Sequence, residues 1–176
     1  CGRGERRAHD ATRAAVAAVI AHVLRGKSLS ALLPEYAPKV AEKDVALLKE
    51  LCFGTLRWYP AIELLLKELM QKPLREKEFE IQALLASGLY QLIYTRIADH
   101  AALNETVAAV AKLNRPWAKG LVNAVLRNFL RQREELEKKL NKNPIFTRAH
   151  PQWMLDILFN AWGSEIALEI IAANNQ

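Results

Sequence analysis

Apolar residues recur along this chain at the three- and four-residue intervals of an α-helix, and no run alternates strictly enough to predict a strand. Val16, Val19, Ile20, Val23 and Leu24 line one face of a first helix that Gly26 can end. The stretch SLSALLPEYAPK, residues 28–39, reads as a loop with at most one short turn, because Pro34 and Pro38 disfavour regular helix on their N-terminal sides. Asp44 is placed to cap a second helix with Val45, Leu48, Leu51, Cys52 and Leu56 inward. Gly54 weakens that helix, and Pro60 either kinks it or opens a new one running to about Met70.

Pro73 marks the next break. From about Glu78 to Tyr94 the pattern is apolar on nearly every side, as expected of a central helix covered by others. Asp99 is expected to cap a helix running to Leu113, and Asn114 with Pro116 punctuates before a long helix that ends around NKNP, residues 141–144. His150 and Pro151 open a further helix ending at Gly163, and Ser164 caps a last one. These elements predict an all-α fold: a helical bundle over residues 1–142 and a short helical extension over 143–176.

Charge changes this picture in one place. The chain has 25 basic and 19 acidic residues, a net of +6. Residues 106–133 hold six bases and no acid, so that segment carries the whole excess and the remainder balances. A positive charge concentrated in this way attracts phosphate or an acidic partner; a solvated helix face is the other reading. On the helical wheel Arg115, Lys119, Asn123, Arg127 and Arg131 form a slowly winding polar ridge, opposite Ala118, Leu121, Val122, Val125 and Phe129. Lys112 and Arg133 flank it. Trp117 is expected as a core or capping residue, with stacking on a base as the other reading. Asn123 is expected to tie down a neighbouring loop by a buried hydrogen bond, with a phosphate oxygen as the other reading. A second basic cluster, Arg3, Arg6, Arg7 and Arg13, reads as an arm able to order on RNA or as a merely charged chain end.

The chemistry of an active site is missing. The four histidines have no metal-ligand spacing, there is no glycine-rich phosphate loop after a strand, and the Glu/Lys alternation from Glu134 to Lys142 is that of a solvated helix end. Cys1 and Cys52 are too few for a disulfide framework, and Cys52, on an apolar stripe, is expected to be a buried structural thiol. The longest uncharged run, Ile81–Thr95, is too short and too polar to span a membrane. The N-terminus CGRGERRAHD is basic but lacks an apolar stretch before a cleavage site, so no secretory signal and a cytoplasmic setting are expected.

Taken in order, SLSALLP, KDVALLKELCFGTLRW, GLYQLIYTRIADHAALNETV and KGLVNAVLRNFLRQREEL resemble the N-terminal, NusB-like domain of the Sun/Fmu family of ribosomal RNA small-subunit methyltransferases. The likeness runs through nearly the whole chain, and HPQWMLDIL and ANNQ fit the stretch leading into that family's linker. It implies that a longer parent transfers a methyl group from S-adenosylmethionine to carbon 5 of a cytosine in 16S ribosomal RNA. The family's two functional cysteines lie in a separate catalytic domain, in motifs where cysteine follows proline or threonine. Cys1 and Cys52 fit neither, so this chain is expected to be a fragment without catalytic residues, cofactor site or metal. The transcription antitermination factor NusB, which binds RNA and a ribosomal protein, is the alternative; it would be expected to finish near residues 134–142.

The expected role is therefore docking on 16S ribosomal RNA through phosphate contacts from Arg3, Arg6, Arg7, Arg13, Lys112, Arg115, Lys119, Arg127, Arg131 and Arg133, with contact to the parent's own catalytic domain as the other use of that face. Neither DNA nor a membrane is an expected partner.

Overall fold

One helix organises the others. A computed structural model describes residues 2–140 and 142, by backbone alone at 2–10 and 140. Among these residues there are seven α-helices and no strand, as the periodicity predicts: α1 Gly2–Leu24, α2 Leu29–Tyr36, α3 Val45–Arg57, α4 Tyr59–Leu69, α5 Phe79–Tyr94, α6 Asp99–Ala109 and α7 Ala118–Leu140. α5 is buried from Ile81 to Leu92 except at Gln82, and it touches α1, α3, α4, α6 and α7. Its apolar character on every side is what a helix covered all round requires. The predicted helices that open at His150 and Ser164, and the extension they belong to, lie outside the described residues.

Turn chemistry fixes several boundaries. Gly26 takes the left-handed φ of 99°, and the amides of Gly26 and Lys27 reach back to Val23 and His22, closing the end of α1. Pro60 opens α4 as its second residue. Asn114, at φ 55°, turns the chain between α6 and α7 after a 3₁₀ turn at Val110–Leu113. The helix expected to run to Leu113 thus tightens four residues early.

Three local expectations are corrected. Residues 29–36 form helix α2 instead of a loop, with Pro34 inside it. Pro34 withholds one backbone hydrogen bond, a cost of about 3 kcal/mol in a helix interior, but Leu29, Leu32 and Leu33 are buried at roughly 2 kcal/mol each. Burial outweighs the lost bond, and Ser30, whose carbonyl loses its partner, is exposed to water. Asp44 stands before α3 without a side-chain cap bond, because a 3₁₀ turn at Glu42–Asp44 already places it in helical backbone. Asp99 is the first residue of α6, not its cap.

Gly54 also acquires a reason. A β-carbon there would land on the ring of Tyr90, so the lack of a side chain on α3 is what lets α5 approach.

Candidate nucleic-acid interface

α7 begins where Pro116 frees the chain from the preceding turn, with the Ala118 amide on the Arg115 carbonyl and the Lys119 amide on that of Pro116. Ala118, Val122, Val125, Leu126, Phe129 and Leu136 are buried against the bundle. That seam sends Lys119, Arg127 and Arg131 outward, and all three are exposed, as is Lys112 in the turn before. None of the four forms an ion pair among the described residues. Arg127 Nε donates to Asn123 Oδ1 at 3.0 Å, and Arg131 donates to Asn128 Oδ1. Asn123 therefore steadies a cation on its own helix and does not fasten a loop.

The other expected contacts divide differently. Arg13 is not on a surface arm: its side chain is 2% exposed, Nη1 lies 2.8 Å from Glu105 Oε2, and Nε donates to Gln91 Oε1 at 3.0 Å. Gln91 Nε2 in turn donates to the Ser87 carbonyl and to Thr106 Oγ1, so the charge sits in a buried polar network joining α1, α5 and α6. Burial of a guanidinium demands such partners, and at 2% exposure it is out of a phosphate's reach. Arg115 precedes α7 and is not on its ridge. It pairs with Glu78 at 2.8 Å and Glu80 at 3.5 Å and donates to the carbonyls of Leu113 and Lys77, clamping the entry of α7 to the entry of α5.

Arg133 turns inward. Its Nη2 donates to the Leu92 carbonyl at 2.8 Å, filling one of the acceptors left open at the end of α5, and its guanidinium meets Asp99 at 3.4 Å and lies over the Phe129 ring. Arg3, Arg6 and Arg7 fall on the backbone of α1, and their side chains lie outside those described. The outward set among the predicted residues is thus Lys112, Lys119, Arg127 and Arg131.

Trp117 departs from the expectation of a core or capping residue. It is 53% exposed, the one large hydrophobic residue so placed among those described. It stands in the turn just before α7, and Gly120, Ala124, Arg127 and Arg131 follow it at helical spacing along one face. At the other end of the face an open depression of about 420 Å³ is lined by Ala124, Arg127, Leu130 and Arg131.

Elsewhere the chemistry is structural. Cys52 is fully buried, and burial pushes its thiol far above the ordinary value, so it is neither a thiolate nor reachable. No cluster of three or more His, Cys, Asp or Glu could hold a metal among the described residues, and no described helix is long and apolar enough to cross a membrane.

Comparison with known proteins gives these features a context. The model of the NusB family matches residues 10–131. The ribosomal RNA small subunit methyltransferase B of Pseudomonas putida is 48% identical over 164 residues, 93% of this chain and 37% of that protein. The proteins of the same name from Proteus mirabilis and Sodalis glossinidius are 46% and 47% identical over 165 and 169 residues, 93% and 96% of this chain. The chain spans under two-fifths of the length of each, 37% to 39%.

Proposed function

Since the chain belongs to the NusB family, we propose that it is the RNA-docking domain of a ribosomal RNA small-subunit methyltransferase, with no catalytic residue of its own. In this reading the parent uses S-adenosylmethionine to methylate carbon 5 of a cytosine in 16S ribosomal RNA, in the cytoplasm. Residues 1–142 form the docking domain, and 143–176 lead to the catalytic domain. Similarity to the methyltransferases covers 164 residues, so it continues past residue 131, where the family model stops. That extent favours a methyltransferase part over a free-standing antitermination factor.

The observation that carries the docking role is the outward ridge of Lys119, Arg127 and Arg131, with Lys112 beside the helix start, in a segment free of acids. Such cations bind phosphates with release of counterions and carry little base preference, so they would position the enzyme while the rest of it selects the base. Arg3, Arg6 and Arg7 are proposed as a secondary contact; Arg13, Arg115 and Arg133 are assigned to holding the bundle.

The test is the affinity of the chain for a small-subunit ribosomal RNA hairpin across a salt series, beside the variant Lys119→Glu/Arg127→Glu/Arg131→Glu. Affinity should fall as salt rises, and the variant should lose affinity together with about three units of the log–log slope, one for each phosphate contact removed. Equal binding and equal slopes for the two proteins would overturn RNA docking by the ridge and leave it an interdomain or a solvated face.

A further inference from the structure

The face of α7 that carries the ridge also carries features that phosphate docking leaves unused. Trp117, the residue just before the helix, is 53% exposed. The next position on that face, Gly120, has nothing within 4 Å of where a β-carbon would stand, so the space beside the indole is open. Further along, Ala124, Arg127, Leu130 and Arg131 line the open depression. From Ala118 to Arg131 the helix axis covers about 20 Å at 1.5 Å per residue, a stretch that carries no acid.

We propose that Trp117 and this depression form a base-stacking subsite for unpaired nucleotides, with the backbone phosphates of the same strand held by Lys119, Arg127 and Arg131. The proposal rests on the RNA-docking reading and specifies what the ridge would take. A flat aromatic beside a row of cations is the combination by which single strands are bound: every unpaired base offers a π-face, and the cations follow the backbone. A duplex turns its base faces inward and presents phosphate and ribose, which need only the cations and would leave the indole without a partner. Tryptophan and arginine are also enriched at protein interfaces, but a protein partner would have to bring a carboxylate for each of Lys119, Arg127 and Arg131, whereas a nucleic-acid strand carries a phosphate at every nucleotide. Arg127 and Arg131 are held by the amides of Asn123 and Asn128, which orient them without neutralising them.

The experiment compares the chain with Trp117→Ala, Trp117→Tyr and the triple glutamate variant of the ridge, on an unpaired RNA oligonucleotide and on a duplex of equal length, each across a salt series. The unpaired strand should bind more tightly than the duplex. Trp117→Ala should weaken the unpaired strand by about 5- to 100-fold while leaving the salt slope and the duplex affinity unchanged, and Trp117→Tyr should restore most of the loss. If Trp117→Ala binds the unpaired strand like the parent while the triple variant loses binding, the subsite is overturned and the docking reading stands. If the parent binds neither RNA, both fall.

Discussion

The guanidinium of Arg13 and the carboxylate of Glu105 meet at 2.8 Å across the α1–α6 contact, with the arginine 2% exposed and the glutamate 25%. Removing one member of a buried pair leaves the other without compensation. Arg13→Ala should therefore lower unfolding free energy by about 3 kcal/mol, at the low end for buried pairs because water reaches Glu105. Arg127→Ala, on the exposed ridge, should stay within about 0.5 kcal/mol of the parent. Urea denaturation of the two variants measures both; equal losses would sink the distinction between an internal and an outward arginine.

Glycine substitutions should separate in sign. Gly120→Ala, on an exposed helical position with open space around it, should stabilise by roughly 0.5–1 kcal/mol through helix propensity. Gly54→Ala meets the buried Tyr90 ring, and overpacking costs of about 1–3 kcal/mol should exceed the same propensity gain. Thermal melts of the pair decide this, and a stabilised Gly54→Ala would mean that α3 and α5 can part without penalty.

Alkaline pH should expose the burial of the tyrosines. Burial, the leading cause, pushes Tyr59 and Tyr90 up to about 12, and it raises Tyr36 and Tyr94 as well. Below pH 10 the phenols stay protonated in both states and add no pH dependence. Between pH 10 and 12 the unfolded chain loses protons that the folded one keeps, so stability falls with rising pH, by up to roughly 1.4 kcal/mol per unit for each of Tyr59 and Tyr90. Phenolate absorbance followed beside a melt at each pH should show ionisation arriving with unfolding; free titration of a folded protein near pH 10 would contradict the packing.

Arg115→Ala should loosen the joint between the entries of α5 and α7. Its partners Glu78 and Glu80 are 17% and 28% exposed, so an expected loss of about 1–2 kcal/mol lies below that of a fully buried pair. The RNA salt slope should not change, since this guanidinium is already occupied. A slope reduced by about one would return Arg115 to the phosphate-binding set.

How much of this was legible beforehand depended on which force placed each residue. Helical spacing located α1, α3, α5 and α7, because the stripes Val16–Ile20, Leu48–Cys52 and Val122–Phe129 must all be buried. Pro34 misled because a local preference of about 3 kcal/mol was weighed without the three leucines on the same turn. Charge did not reveal direction. Arg13 lies three and seven residues before Val16 and Ile20, on their stripe, and Arg133 lies four after Phe129, so both positions were on core faces and their inward course was open to reading. Arg115 gave no such sign, since its carboxylate partners are more than thirty residues away. Nor could it be foreseen that Asp44 and Asp99 would not cap their helices, because that depends on where the backbone first turns helical.

The amides beside Arg127 and Arg131 have a consequence for evolution of the surface. A carboxylate at position 123 or 128 would hold the same guanidinium as firmly, yet it would cancel the charge that an anion must find. With asparagine, the rotamers of two long side chains are restricted before any ligand arrives, so less disorder is lost when one does. Asn123→Asp is then a change of a few atoms that keeps the shape of α7 and converts a waiting cation into a satisfied one.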